Sequence, residues 1–284
     1  MRTSVTISLV PALSKGPWIY WEDLALSISK AKAAGFDAVE LFPASPEAIE
    51  SDRLARLLDQ YQIVVSAFGS GAGKALHGLH LTSPNEAVRM KARGYIARLI
   101  DVAARFEAPV IIGSMQGSLE KGVTHAQALN WLREALNELG ERARAKGTKL
   151  ILEPLNRYET EIINNLADGM EMIRSLSTDN VALLADLFHM NIEEDSMPGA
   201  VRAAKGFIGF VHLADSNRRP AGLGHTGFKE IIDALKAIGY EGYVSAEALP
   251  YPDPDRAAAQ TMSTCRTLGI TGQGRFSVNH TLQD

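Results

Sequence analysis

Short apolar runs alternate with amphipathic stretches along the whole chain. Runs rich in Val, Ile, Leu and Phe that end at turn residues or at a charged residue predict buried strands. The stretches between these runs have the three-to-four-residue apolar spacing of helices. The predicted strands are Ser4–Val10, Ala38–Phe42, Ile63–Phe68, Pro109–Gly113, Leu150–Glu153, Val181–Asp186, Phe207–His212 and Tyr243–Glu247.

Each predicted strand is followed by a predicted helix. The third helix has proline at its first position, after Ser83 as the expected cap. The helices are Trp21–Ala34, Pro46–Tyr61, Pro84–Phe106, His125–Lys146, Asn165–Leu176, Pro198–Lys205, Phe228–Ile238 and Asp255–Leu268.

Eight strands that alternate with eight helices predict a parallel sheet, because parallel strands need crossover connections. In a chain of 284 residues this favours an α/β fold, a single (β/α)8 TIM barrel, over an open sheet. We expect the barrel to occupy residues 1–271. The polar tail, residues 272–284, would then cover the surface or contact another subunit.

Glu153, Asp186, His212 and Glu247 end the last four strand-like runs, 26 to 35 residues apart. One βα unit takes roughly 30 residues or more, so these side chains recur once per unit where a strand ends. In such barrels the active site lies at the carboxyl ends of the strands. Three carboxylates and an imidazole suit a divalent metal ion. The alternative is that each acid caps the following helix or pairs with a nearby arginine.

Composition and charge exclude other classes. The net charge is −4, with 29 basic and 33 acidic residues, so no basic surface for nucleic acid is expected. No apolar run reaches the roughly 20 residues that a membrane helix needs. Cys265 is the only cysteine, and the N-terminus lacks the pattern of a signal peptide. We therefore expect a cytoplasmic protein that acts on a small molecule.

The segments that follow these strand ends carry a family resemblance. Glu153 begins Glu-Pro-Leu-Asn-Arg-Tyr-Glu, Asp186 begins Asp-Leu-Phe-His-Met-Asn-Ile-Glu-Glu, and His212 begins a segment that runs through Arg218 to His225. These segments resemble the metal-dependent ketose 3-epimerases, the tagatose and psicose epimerase group, within the xylose-isomerase-like barrel superfamily. The resemblance is close in the second half of the chain and covers the first half only in its βα rhythm.

The resemblance implies a role for each residue. Glu153, Asp186, His212 and Glu247 would bind one divalent metal ion, usually Mn²⁺, although Mg²⁺ and Co²⁺ also serve in that group. Glu159, His189 and Arg218 would contact substrate oxygens. The protein would be a dimer or tetramer and its substrate a sugar. Two departures are that Asp215 replaces a usual glutamate and that strand one lacks a usual aromatic residue.

The implied chemistry is proton exchange next to a carbonyl. A divalent metal stabilises the enolate that forms when the proton leaves. Glu153 and Glu247 would be the acid and base, one on each face of the carbon, and the resemblance implies a cis-enediolate between them. The same site would also suit an aldose–ketose isomerase of the hydroxypyruvate type, or a lyase or dehydratase acting on a 3-keto sugar.

Several residues near this rim have other interpretations. His189 follows Asp186 into the loop and would either meet the substrate or bond a loop carbonyl. Arg218 would bind substrate oxygens, or else form a surface ion pair with Asp215 or Glu194. Glu159 would contact the substrate or hold Arg157 or His189. Glu40 ends strand two and is expected to support the ligands, while Ser114 or Gln116 would contact a hydroxyl.

Overall fold

Eight parallel strands close into a barrel in sequence order, β1 to β8. The computed structural model describes residues 1–21 and 23–270. The predicted single (β/α)8 barrel is therefore confirmed. The strands are β1 (Arg2–Ser8), β2 (Ala38–Phe42), β3 (Val64–Gly69), β4 (Val110–Ile112), β5 (Leu150–Leu152), β6 (Val181–Asp186), β7 (Ile208–His212) and β8 (Tyr243–Ala246).

Helices surround the barrel, and within the described residues there are ten of them. Most lie where the amphipathic stretches predicted them. They are α1 (Leu24–Ala34), α2 (Ser51–Tyr61), α3 (Ala72–His77), α4 (Glu86–Ala104), α5 (His125–Ala145), α6 (Leu166–Arg174), α7 (Leu187–Glu193), α8 (Met197–Ala203), α9 (Phe228–Ala237) and α10 (Pro254–Thr267).

Several details differ from the predictions. The first strand covers Arg2–Ser8 instead of Ser4–Val10. Helix α4 begins at Glu86 and is capped by Asn85, whose side chain accepts from the backbone N–H of Ala87. Ser83, the predicted cap, accepts instead from the backbone N–H of Asn85. Asparagine is at least as good a cap as serine, so the helix begins two residues later.

Helices α3 and α7 were not predicted, because both are short and follow directly after a strand. Helix α7 is capped by Asp186, whose Oδ1 accepts from the backbone N–H groups of Phe188 (2.7 Å) and His189 (3.3 Å). His189 therefore lies on a helix and not in the predicted loop. This helix fixes the position of His189 relative to the end of β6.

Inside the barrel, a small apolar cluster supports the rim that carries the acids. Its residues come from β3 to β7, and β1 adds buried hydroxyl side chains such as Ser4, which pairs with Ser66. The larger core lies between the strands and the surrounding helices. The barrel-interior residues are Ala67, Ile111, Ile151, Leu184 and Phe210.

The predicted polar tail, residues 272–284, lies outside the described residues, so the proposed domain limits stay a prediction. None of the helices that the structure describes has the length and apolar character needed to cross a membrane.

Candidate metal centre at the carboxyl end of the barrel

Glu153, Asp186, His212 and Glu247 come together at one end of the barrel. Asp186 and His212 are the last residues of β6 and β7, and Glu153 and Glu247 follow β5 and β8 directly. One oxygen or nitrogen atom from each lies within 4.8 Å of the others. Nδ1 of His212 is 3.3 Å from Oδ2 of Asp186, 3.4 Å from Oε1 of Glu153 and 3.7 Å from Oε2 of Glu247. The sequence prediction that these four residues share one site is consistent with this geometry.

The sheet register brings these side chains to one level. Asp186 and His212 are direct partners across the β6–β7 pair. The register shifts between Leu183 and Leu184, just before the strand reaches Asp186. Irregularities of this kind commonly re-aim side chains near active sites. The local strand geometry therefore turns consecutive strand ends toward a common point.

Glu40 holds His212 from the opposite side of the ring. Oε1 and Oε2 of Glu40 lie 3.1 and 3.2 Å from Nε2 of His212, and both residues are buried. Nε2–H therefore donates to the carboxylate of Glu40, and Nδ1 faces the three other acids. A carboxylate behind a metal-binding histidine is a common support for the ring. Glu40 has the supporting position expected for it.

The charge of the cluster fits a divalent cation. Four carboxylates, including Glu40, surround one imidazole within a largely buried space, and ionised carboxylates are costly to bury without a partner. Burial raises the pKa of Glu247 to about 8 even though His212 and Arg218 oppose the shift. Burial would also lower the pKa of His212, but Glu40 and Glu247 outweigh it and raise that pKa. Three oxygens and one nitrogen at these distances form a donor set that manganese or magnesium accepts.

Asp186 has two functions in this arrangement. Its Oδ1 caps α7, while its Oδ2 faces His212 and lies 3.7 Å from Nε2 of His189. Burial alone would raise the pKa of Asp186, but the two imidazoles outweigh burial and lower it. Asp186 therefore connects the end of β6, the start of α7 and the ring of His212.

Arg218 pairs with two glutamates at the rim. Its Nη2 is 3.1 Å from Oε2 of Glu247, and its Nη1 is 3.2 Å from Oε1 of Glu159. The guanidinium carbon lies 4.7 Å from the ring centroid of Phe188, a cation–π contact. Arg218 also has a left-handed backbone, with φ of 59°, and such residues often mark functional sites.

The alternative ion pairs considered for Arg218 were wrong. Asp215 accepts instead from the backbone N–H groups of Ser216, Gly222 and Thr226, and so organises its own loop. Its carboxylate is not among those lining the cavity. Glu194 accepts from the backbone N–H of Leu166.

Glu159 and His189 line the same cavity as the acids. Oε1 of Glu159 accepts from Arg218 and, at 3.3 Å, from Nδ2 of Asn156. Arg157 pairs with Glu193, so Glu159 does not hold it. His189 is only 2% exposed, and its Nδ1 bonds the loop through Asn156 and not through a carbonyl. The role of Asn156 had no signal in the sequence.

A cavity of about 570 Å³ opens above the cluster. The segments at the ends of β5 to β8 supply most of the charged residues of its wall, together with Lys15 and Glu40 from the first two βα units. The first four βα units also supply a group of small residues beside an aromatic pair. Trp18 and Phe42 form that pair, with ring centroids 4.3 Å apart. The small residues are Gly69, Ser70, Gly71, Ala75, Gly113 and Ser114.

Two residues after β4, Gln116 and Gly113, contact or make room for Glu153. Ser114 lines the cavity, as expected, but Gln116 is buried behind it and its Nε2 donates to the carbonyl of Glu153 at 2.8 Å. Gly113 leaves room for the Glu153 carboxylate, because a Cβ at this position would overlap Oε2. Both residues therefore help to place Glu153.

Known proteins with similar sequences share this fold. D-psicose 3-epimerase of Ruminiclostridium cellulolyticum is 32% identical over 244 residues, which cover 81% of each chain. 3-Dehydro-D-guloside 4-epimerase of Escherichia coli is 36% identical over 135 residues, 47% of this chain and 52% of that one.

A solved structure agrees over most of the chain. D-psicose 3-epimerase from Clostridium cellulolyticum H10, determined with D-tagatose, superimposes with a TM-score of 0.80 at 24% identity. The match covers 94% of this chain and 99% of that one. The resemblance to the ketose 3-epimerases is therefore confirmed. Because the profile of the xylose isomerase-like TIM barrel also matches residues 28–268, this chain belongs to the xylose isomerase-like TIM barrel family.

Proposed function

We propose that this protein is a divalent-metal-dependent epimerase of a ketose, acting at the carbon next to the carbonyl. The observation that carries the proposal is the placement of Glu153 and Glu247. They come from β5 and β8, on either side of the strands that supply Asp186 and His212, and both carboxylates face Nδ1 of His212. A substrate above His212 would thus have a carboxylate on each side.

Each residue then has one role. Glu153, Asp186, His212 and Glu247 would hold the metal, Mn²⁺, with Mg²⁺ or Co²⁺ as substitutes. The bound cation supplies Lewis-acid stabilisation of the negative charge on the substrate's carbonyl oxygen. One of the two glutamates takes the proton from carbon, and the other delivers a proton to the opposite face. Epimerisation needs this arrangement, because the proton must return from the other side.

Arg218 keeps the second glutamate ready for this exchange. Its guanidinium lies 3.1 Å from Oε2 of Glu247 and opposes the rise in pKa that burial causes. A cation at the site would lower this pKa further. Glu159 in turn positions Arg218. We propose that Arg218, Glu159 and His189 also donate to or accept from the oxygens of the bound sugar.

The similarity to D-psicose 3-epimerase supports a free ketose, with exchange at C3. A second candidate is a 4-epimerase of a 3-keto glycoside, supported by the similarity to 3-dehydro-D-guloside 4-epimerase. The cavity of about 570 Å³ lies within the usual range of small-molecule sites, roughly 300–1,000 Å³, so it can accept either a free ketose or a glycoside. In both reactions the exchanging carbon is next to a carbonyl.

Proton exchange in D₂O tests the proposal and separates the candidates. Chelator-treated protein is incubated with Mn²⁺ and, in turn, D-psicose, D-fructose, D-tagatose, L-ribulose or a 3-keto-glucoside, and deuterium is located by NMR. Deuterium at C3 of a ketose with formation of its epimer supports the first candidate, and deuterium at C4 of the keto-glucoside supports the second. An aldose product or loss of a substituent would indicate the isomerase or lyase instead. No metal-dependent exchange in any substrate would contradict the proposal.

Matched variants assign the proton transfer. Glu153→Gln and Glu247→Gln should each abolish exchange in a folded protein. Glu161→Gln is the control, because Glu161 is exposed on the same loop as Glu159 and only accepts from the backbone N–H of Leu119. Full proton exchange in Glu247→Gln would show that Glu247 does not transfer the proton.

We also propose a cytoplasmic homo-oligomer, a dimer or tetramer. Tyr158, on the loop that carries Glu159, is 81% exposed, and subunit interfaces are enriched in such aromatic residues. Cys265 is buried, so no disulfide is needed for assembly. Sedimentation of the wild type and of Tyr158→Ser would test this, and a monomeric wild type at micromolar concentration would contradict it.

A further inference from the structure

The two ring nitrogens of His189 have very different surroundings. Nδ1 lies 3.2 Å from the backbone nitrogen of Asn156 and 2.7 Å from its side-chain Nδ2. Nε2 is buried and has no hydrogen-bond partner among the described residues. The ring lines the cavity, with Nε2 3.7 Å from Oδ2 of Asp186.

Asn156 offers two donors to Nδ1. A backbone N–H can only donate, so its contact at 3.2 Å favours Nδ1 as an acceptor, and the side-chain contact at 2.7 Å is the closer of the two. The side-chain amide is oriented by its other partners: Oδ1 accepts from the backbone N–H of Tyr158 at 3.0 Å, and Nδ2 donates to Oε1 of Glu159 at 3.3 Å. Reversing the amide would set two donors against each other at Tyr158 and two acceptors at Glu159. Nδ2 therefore also donates to His189.

We infer that Asn156 is a positioning residue that fixes His189 as the tautomer protonated at Nε2. With Nδ1 occupied as an acceptor, the ring proton is on the nitrogen that faces the cavity. His189 then presents a neutral N–H donor beside the candidate metal ligand Asp186. A tautomer set by the partner of the other ring nitrogen is a general feature of functional histidines.

The role of this N–H donor in catalysis rests on the proposed function. The oxygen that receives the N–H would be a carbonyl or hydroxyl oxygen of the sugar, next to the carbon that exchanges its proton. A donor held in place before the substrate binds stabilises charge as it develops on that oxygen. The protonated Nε2 cannot accept a proton, so His189 is a donor and not the base of the reaction.

The tautomer is measured directly by ¹⁵N NMR of the histidine rings. In the wild type, His189 should show a pyridine-type nitrogen at Nδ1 and a pyrrole-type nitrogen at Nε2. In Asn156→Asp the backbone N–H stays, but an acceptor oxygen replaces the closer Nδ2 donor, so the fraction of His189 that carries its proton on Nδ1 should rise. The rate of metal-dependent proton exchange should fall about 10- to 100-fold, as is common when a partner of a site residue is lost.

The matched control is Asn164→Asp on the same loop. Asn164 donates from Nδ2 to the carbonyls of Leu155 and Thr160 and does not touch His189. The Asn164→Asp variant should disturb the loop but leave the His189 tautomer unchanged. It should lower the rate of proton exchange much less than Asn156→Asp does.

The outcomes separate this inference from the proposed function. A proton on Nδ1 of His189 in the wild type would overturn the inference, whether or not Asn156→Asp folds. Equal exchange rates in the two variants, with no change at Nδ1, would also overturn it. The expected tautomer in a protein that exchanges no sugar proton would support the role of Asn156 and reject the proposed function instead.

Discussion

Oε1 of Glu40 lies 3.1 Å from Nε2 of His212, so a buried carboxylate from β2 holds a ring at the end of β7 across the barrel. Because this contact directs Nδ1 toward the three other acids, Glu40→Gln should weaken Mn²⁺ binding by about 10- to 100-fold. Calorimetric titration of chelator-treated protein would measure the change. Glu47→Gln is the control, because Glu47 follows the same strand but pairs with Arg98 at the surface. Equal affinities in both variants would contradict the role of Glu40.

Gly113→Ala should displace the Glu153 carboxylate, because the new Cβ would occupy the space of Oε2. A shift of about 1 Å in a reacting group can cost on the order of 100-fold in rate, and we expect at least this loss of exchange. Gly94→Ala is a fitting control. Gly94 lies inside α4, and a Cβ there would meet only Arg98, at 3.5 Å. This control should keep full activity and gain up to about 1 kcal/mol in free energy of unfolding. Full activity in Gly113→Ala would contradict this prediction, because it would show that the Glu153 carboxylate can avoid the new Cβ without leaving its working position.

Arg218→Ala should lower kcat/KM by about 10- to 100-fold, since a hydrogen bond to a charged group contributes about 1.5–3 kcal/mol. The substitution removes the guanidinium cation that pairs with Glu247 and Glu159. The neighbouring residue gives the comparison: Arg219 places its guanidinium over the ring of Tyr251, at 3.9 Å, and contacts none of the acids. Steady-state kinetics should show less than about a threefold change for Arg219→Ala. Similar losses in both variants would assign Arg218 to loop stability alone.

The stability of the metal-free protein should fall as the pH rises. Burial raises the pKa of Glu247 from 4.5 to about 8, so the native state binds more protons than the unfolded state between these values. The pKa of His212 is also raised, so its contribution to the free energy of unfolding is likewise lost as the pH rises. Between pH 5.5 and 8.5 with a chelator, the wild type should lose at least about 1 kcal/mol more than Glu247→Gln, since one pKa unit is about 1.4 kcal/mol.

Added Mn²⁺ should reverse this trend, because the metal binds the ionised carboxylates and releases protons. Urea unfolding with and without Mn²⁺ at the two pH values would show it. Greater stabilisation by Mn²⁺ at pH 5.5 than at pH 8.5 would contradict the assignment of Glu247 as a ligand.

The sequence predicted the barrel, and it predicted that three acids and one histidine would meet at its rim. Both follow from local patterns: an apolar run predicts a buried strand, and a polar residue at its end predicts a side chain at the carboxyl edge. Asp186 and His212 end their strands as expected. The resemblance of the segments after these strands added Glu159, His189 and Arg218, all of which line the cavity.

The contacts that orient these residues were beyond the sequence pattern. Asn156, in the loop after β5, bonds His189 on α7, and Phe42 at the end of β2 packs on Trp18 in the segment after β1. Such pairs depend on the exact path of loops between strands, which apolar spacing does not encode. Helix α7 was missed for a related reason, because its cap, Asp186, also belongs to the preceding strand.

Glu153, Asp186, His212 and Glu247 occupy four consecutive strand ends, β5 to β8, and the other half of the cavity wall comes from the first four βα units. The first half of the chain also supplies Glu40, which holds His212, and Gly113, which leaves room for Glu153. Exchanging the segment that encodes β1 to β4 between relatives would therefore alter the shape of the cavity and keep the candidate ligands, provided that Glu40 and Gly113 are retained. New cavity shapes are thereby accessible through recombination at a single crossover point near the middle of the chain.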